Sequence, residues 1–264
     1  MADADPSEPR FRRMRLRSSR PLSPTVRSVI LETLDGSDLQ WKGGQHVELL
    51  LPDETLALAP ERWRADPQWL EEVKASKHPY SIASAPDRRV PGRMELAVGT
   101  SGEDSTSAVL QHLPAGVQIG MVGPLGNFTR AGLCDQPAVF VAAGTGMAPL
   151  RAMILAELAR GESGPELVLL FGCRREADIL WHQELMALAD RSPRFHYEPT
   201  LSQPGPGWTG RRGYVQDHLA DVVHRAGDVP VFVAGPPEMV ADVLQVLEIE
   251  LGHPPDRILR EQYV

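Results

Sequence analysis

Only two cysteines, Cys134 and Cys173, occur in the 264 residues. Two thiols exclude a four-thiolate iron–sulfur cluster and a disulfide framework, and they fit a reducing, cytoplasmic setting. Long apolar runs are missing as well. Stretches such as Val139–Ala143 fall well below the roughly 20 residues that span a bilayer, so no membrane span is expected. The first residues carry Asp3, Asp5 and Glu8 without an apolar core, so no secretory signal is expected either. Neither GxSxG nor HExxH occurs, which leaves hydrolase readings without support. His182, His196 and His218 stand at no metal-ligand spacing. What remains is an ordinary globular composition, 42% hydrophobic and 23% charged.

Positive charge is in short supply. The formal net charge is −8, with 16 Lys+Arg against 17 Asp+Glu in residues 1–130 and 11 against 18 in 131–264. Nucleic-acid binding depends on neutralising phosphates, so it is not expected of this chain. The exception is the run Arg10, Arg12, Arg13, Arg15, Arg17 and Arg20. A solvated edge strand, whose charges discourage pairing with other edges, accounts for it more simply than a docking patch for a small acidic protein.

The two halves differ in period. The first holds short strands near Val26–Leu34, His46–Leu51 and Met94–Val98, punctuated by Gly and Pro, with one helix near Ser105–Leu113. This is the pattern of a small antiparallel barrel. The segment 51–77, with Trp63 and Trp69, reads as an inserted loop with a short helix. In the second half, apolar strands at Ala138–Ala143, Leu167–Phe171, His196–Leu201 and Val231–Ala234 alternate with helices near Pro149–Arg160, Ala177–Ala189, Val215–Arg225 and Glu238–Leu251. Such alternation predicts a parallel sheet covered on both faces, with ligands at the carboxyl ends of its strands.

Loops of small residues follow those strands. Gly144-Thr145-Gly146-Met147-Ala148-Pro149 leads from the first strand into a helix, where close backbone approach and free N–H groups suit a phosphate. Arg174 follows the second strand, Ser202-Gln203 the third, and Gly235-Pro236 the fourth. A nucleotide site explains four such loops at one end of a sheet better than four coincidental turns. In the first half, His78-Pro79-Tyr80-Ser81-Ile82-Ala83-Ser84, together with Gly102 and Ser105-Thr106-Ser107 at the start of the lone helix, suggests a second phosphate site.

His78–Ser84 resembles the Arg-x-Tyr-Ser flavin signature of the ferredoxin–NADP reductase superfamily. Trp41–Val47, Gly123–Phe128, Gly144–Pro149, Gly172–Arg174, Gly235–Met239 and Glu261-Gln262-Tyr263 are similar to further motifs of that family, in order, over roughly 41–264. The resemblance implies a six-stranded antiparallel flavin-binding barrel (1–132) followed by a five-stranded parallel, doubly wound NAD(P)-binding sheet (133–264). It implies bound FAD, with FMN a weaker match, and NADH or NADPH as the electron donor. Tyr80 then stacks on the flavin and Ser81 bonds near its N5. His78, Pro79, Ser84, Gly102, Ser105, Thr106 and Ser107 complete the flavin site. Gly144, Thr145, Gly146, Met147, Arg174, Ser202, Gln203, Gly235, Pro236 and Met239 hold the nicotinamide dinucleotide. Glu261 and Tyr263 join Ser81 as the catalytic group. Electrons pass from the nicotinamide to the flavin and on to a separate acceptor such as ferredoxin.

Three residues depart from the family pattern. His78 stands where the family has arginine, which loosens the hold on flavin or leaves it to Lys77, Arg88 or Arg89. Ala234 replaces a cysteine. Gln203 replaces an arginine common in NADP-specific members, which favours NADH, although Arg211 and Arg212 are close enough in sequence to bind a 2′-phosphate. A free-flavin reductase is the alternative activity, and a nucleotide-fold regulatory module without turnover is a third reading that intact Tyr80-Ser81 and Gly144–Pro149 oppose.

Overall fold

Alternation builds the first strand. In β1 (Arg10–Pro21), Arg12, Met14 and Leu16 are buried while Phe11, Arg13, Arg15 and Arg17 face outward. A computed structural model describes residues 10–59, 61–65, 68, 71, 78–99 and 106–263. Its first sheet joins β1 to β2 (Val26–Thr33), β3 (His46–Leu50), β4 (His78–Ser81), β5 (Arg93–Gly99) and β6 (Gln118–Leu125), all pairs antiparallel. The order is β4-β3-β6-β1-β2-β5, and a bridge between Ile82 and Leu96 brings the two edges together into a barrel.

β1 is therefore a central strand, which corrects the expected edge strand. A period of two shows which face is wet but not which neighbours a strand will have. The arginines sit on the outer face, where Arg17 and Arg15 lie 3.2 and 3.8 Å from Glu32. Arg12 points inward and donates to the Gly123 carbonyl at 2.9 Å. The described part of 51–77 contains two short helices, Asp53–Leu56 and Glu61–Arg64. The Trp69 position lies outside the described residues, as does the Trp63 side chain. The helix Thr106–His112 buries Ala108, Val109 and Leu110 in the barrel core.

The second sheet runs β10-β9-β8-β7-β11-β12, all parallel, with β7 (Ala138–Ala143), β8 (Leu167–Cys173), β9 (Phe195–Leu201), β10 (Arg211–Arg212), β11 (Val231–Gly235) and β12 (Ile258–Gln262). It has six strands where five were expected. β10 is two arginines long and carries no apolar signal, so the pattern of buried strands passes over it. The order reverses between β7 and β11, and a crevice opens at their carboxyl ends.

Phe140, Phe171, Phe195 and Phe232 are fully buried around this sheet, each contributing roughly 1.5–3 kcal/mol of transfer free energy. The helix expected at Ala177–Ala189 is split. A 3-10 turn covers Glu176–Asp178, Trp181 takes a left-handed φ of 51°, and the helix proper is His182–Arg191. No helix among the described residues is long and apolar enough to cross a membrane.

Besides the barrel's own core, one buried cluster bridges the two sheets. Val26, Ala83 and Ala97 of the barrel pack with Ala142, Met147 and Leu150 of the parallel-sheet side. At Gly43 the backbone runs against the helix Met147–Leu158, and a Cβ there would lie 2.6 Å from the Cα of Met153.

Candidate active site at the junction of the two sheets

β4 presents Tyr80 and Ser81 to the junction, both largely buried. The Tyr80 hydroxyl lies 3.0 Å from the Ser107 Oγ. Burial pushes the Tyr80 phenol up to about 12, and the Ser107 bond offsets this only in part. Partial burial holds His78 below its ordinary imidazole value, so it is a neutral partner at pH 7, as its replacement of an arginine implies.

Ser81 is joined by residues from the other end of the chain. Its Oγ lies 2.9 Å from the hydroxyl of Tyr263, which donates in turn to the Glu261 carboxylate in a short hydrogen bond. The parallel pairing of β12 with β11 sets Glu261 beside Ala234, and the Tyr263 N–H donates to the Gly235 carbonyl at 3.1 Å. Burial raises the Glu261 carboxyl above its ordinary value despite the Tyr263 bond and nearby His46. Burial and the Glu261 charge raise the Tyr263 phenol as well.

A cleft of about 300 Å³ is lined by Tyr80, Ser81 and Ser107 on the barrel side and by Thr145, Ala148 and Tyr263 on the other. Thr25 and Gly99 also line it. Neither stands out in the sequence, because one is a turn residue and the other ends an apolar strand. A larger groove of about 790 Å³, bordered by Phe11, Leu50 and Leu58 on the outside of the barrel, shares no residue with the cleft.

Two observations beside the cleft, at Thr106 next to Ser107 and at Gly144 next to Thr145, fit a phosphate-bearing cofactor and nucleotide. Thr106 at the helix start is buried, and its Oγ1 has no hydrogen-bond partner. A buried hydroxyl without a partner is costly, and a flavin phosphate oxygen would satisfy it. Gly144, with φ 55°, has nothing within 4 Å of where a Cβ would stand, which leaves the backbone open to a ligand. Gly146 plays a different part, lying flush against Ala234 and Gly235 of β11. Gly102 and Ser105 lie outside the described residues, as does Lys77. Arg89 is bonded to Asp87 at 3.0 Å.

At the far end of the sheet, the Ser202 and Gln203 N–H groups donate to the Cys173 and Arg174 carbonyls, and the Arg174 side chain is exposed. Arg211 is committed to Glu198 at 2.7 Å and to Asp221 through a short bond. Arg212 is exposed, with Trp208 O as its side-chain partner at 2.9 Å, and Tyr214 beside it is 62% exposed. One sequence-marked residue, Ser84, is engaged within the barrel, and another, Met239, lies on the Gly235 loop. Ser84 accepts from the Glu95 N–H and gives its carbonyl to the Trp41 indole. Met239 packs over Gly235. Among the described residues, no group of His, Cys, Asp or Glu could hold a metal ion.

A family model described as an oxidoreductase NAD-binding domain matches residues 140–245. The chain is 40% identical to "Ferredoxin--NADP reductase B" of Sorangium cellulosum, covering 100% of both chains. It is 30% identical to the phenol hydroxylase P5 protein of Acinetobacter pittii over 86% of this chain and 58% of that protein. Among solved structures, the Amycolatopsis cytochrome P450 reductase GcoB shares the fold with a TM-score of 0.77 at 24% identity, covering 97% of this chain and 71% of that one.

Proposed function

The chain belongs to the ferredoxin–NADP reductase family of NAD(P)H-dependent flavoprotein oxidoreductases, and on that premise we propose that it holds FAD on residues 1–132, takes electrons from NADPH on residues 133–264 and delivers them to a separate acidic carrier of the ferredoxin type. In the choice of NADPH, the exposed Arg212 makes up for the arginine that Gln203 replaces and reverses the NADH preference that Gln203 alone predicts. The observation that carries this reading is the single cleft in which Tyr80 and Ser81 of the barrel face Thr145 and Tyr263 of the parallel-sheet side. Bound FAD supplies the electron storage that no side chain here offers. Tyr80 offers a ring face held in place by Ser107, and the Thr106 hydroxyl offers a donor to phosphate. Ser81 places a hydroxyl in the cleft whose hydrogen is governed through Tyr263 by Glu261. Gly144–Gly146 and the start of the following helix offer backbone N–H groups to the dinucleotide phosphates. The free thiols Cys134 and Cys173 suit the cytoplasm.

The test is an absorption spectrum of the purified chain followed by anaerobic titration. Flavin bands that NADPH bleaches and ferredoxin restores support the proposal. A colourless protein that oxidises NADPH only when free flavin is added overturns it in favour of a free-flavin reductase.

Two refinements follow from the arginines. Arg211 is occupied by carboxylates, whereas Arg212 stands next to Leu201 in the ladder and so close to Ser202 and Tyr214. Arg212→Ala is expected to raise KM for NADPH at least tenfold, as loss of a charge-assisted hydrogen bond worth about 1.5–3 kcal/mol predicts, and to leave KM for NADH unchanged. Steady-state kinetics with both nucleotides checks this.

The outward arginines Arg13, Arg15 and Arg17 form a basic face, since Arg15, Arg17 and Arg93 all share Glu32. Replacing Arg13, Arg15 and Arg17 with serine is expected to cut the second-order rate with an acidic ferredoxin about tenfold at low salt and to spare ferricyanide reduction. An unchanged rate removes this face from docking.

A further inference from the structure

The helix Met147–Leu158 is buried on nearly every side, yet its fifth residue is an arginine. Arg151 is 6% exposed. Its Nη1 donates to the Ala83 carbonyl at 2.7 Å and to Glu95 Oε2 at 3.0 Å, and its Nη2 grips both carboxylate oxygens of Glu184 at 2.7 and 2.8 Å. The guanidinium lies 4.5 Å from the centroid of the Trp181 ring. The Trp181 indole N–H donates to Glu95 Oε1 at 3.1 Å, and the Ser28 hydroxyl donates to the same oxygen at 2.5 Å. Burial alone would raise the Glu95 carboxyl, but Arg151, Ser28, Trp181 and Arg20 together hold it below the usual carboxylate range. Trp181 is the one described non-glycine residue with a left-handed backbone, and that turn is what aims its indole at Glu95.

The cluster joins β2, β5 and the chain after β4 on the barrel side to two helical segments on the other. A buried ion pair adds little net stability, because desolvation offsets its attraction, and apolar packing would hold the two sides together as well. It adds direction. A planar guanidinium fixed to three acceptors and one ring does not slide, as an apolar contact can.

What it directs is the cleft. Ala83 lies two residues beyond Ser81, and Arg151 lies five residues beyond Gly146 along a continuous helix. The strand that carries Glu95 ends at Gly99, where a Cβ would lie 3.1 Å from the Thr145 side chain of the dinucleotide loop. We propose that Arg151, held by Glu95, Glu184 and Trp181, is a positioning residue that sets the distance and angle between the flavin wall and the nucleotide wall of the cleft. This inference rests on the functional reading above.

The test is anaerobic stopped-flow reduction of the FAD-loaded full chain, comparing wild type with Arg151→Met, Arg151→Lys and Trp181→Phe. Arg151→Met is expected to slow flavin reduction at saturating NADPH at least tenfold, with FAD content unchanged and the Kd for NADP⁺ within twofold. With NADPH deuterated at the transferred position, the isotope effect becomes temperature-dependent in the variant, because the walls must now sample the reactive distance. Arg151→Lys recovers part of the rate. Trp181→Phe keeps the ring, loses one hydrogen bond and is expected to slow reduction about threefold, which keeps the proposal falsifiable if Arg151→Met does not fold. A lower melting temperature with rate and isotope effect unchanged overturns the inference, as does a rate that falls only in proportion to lost FAD. A wild-type chain that neither NADPH nor NADH reduces overturns the functional reading and this inference with it, whereas a normal wild type with unaffected variants overturns the inference alone.

Discussion

Gly146→Ala is expected to destabilise the protein by about 3 kcal/mol or more, the cost of overpacking a site that cannot yield, and to remove NADPH binding. The backbone of Gly146 is ordinary, with φ −56° and ψ −18°, so an alanine adopts it without strain. The obstacle is space. A Cβ would fall against the Ala234 carbonyl and 2.6 Å from the Gly235 nitrogen, both of them main-chain atoms of a central strand. No rotamer change relieves such a contact, so the dinucleotide loop must lift from β11 and carry Gly144 and Thr145 with it. A melting temperature lower by about 10 °C and a lost NADPH titration are the expected readings. Gly144→Ala is the contrasting variant. There the space is open and only the positive φ is strained, which costs roughly 1–2 kcal/mol. A Gly146→Ala protein that melts and binds like wild type shows that β11 and the loop are not in firm contact.

The second large effect is on rate. Ser81→Ala is expected to slow flavin reduction by NADPH about a hundredfold while leaving nucleotide affinity within twofold. The reason is the order of hydrogens along Ser81, Tyr263 and Glu261. With Glu261 ionised, Tyr263 donates to it, and Ser81 must spend its only hydrogen on Tyr263. With Glu261 protonated the chain reverses, and the Ser81 hydrogen is free to point into the cleft. Burial raises the Glu261 carboxyl, so this reversal lies above the ordinary carboxylate range. The sign follows: the rate falls as pH rises through that raised value, and Glu261→Gln or Ser81→Ala flattens the profile. Stopped-flow rates between pH 4 and 8 check this, and a full-rate Ser81→Ala variant removes Ser81 from the chemistry.

The residues of this relay were legible because they lie in short motifs, although Ser81 and Tyr263 are 182 positions apart and only the parallel pairing of β12 with β11 brings them together. The nucleotide loop was legible for a similar reason: glycines at a strand-to-helix turn have few other uses. Arg151 and Glu95 were not. Alternation in β5 puts Glu95 on the outer face of the barrel, which reads as solvent, and nothing local tells that Arg151 and Trp181 of two distant helical segments cover it. Arginine in a helix likewise reads as a surface charge. The break at Trp181 was missed because left-handed backbone in a tryptophan has no composition signal, and β10 because two arginines do not look like a strand.

The central place of β1 bears on how the chain is made. Its second neighbour is β6, where Arg10 pairs with Gly123. A ribosome adding about 5–20 residues per second takes several seconds to bridge that gap. During that interval the β1–β2 hairpin has one open side, with Phe11 on it. The outward arginines are then gatekeepers, keeping a temporarily exposed ladder from pairing with another nascent copy. In the finished barrel that side of β1 is closed by β6, and the strand keeps no open ladder.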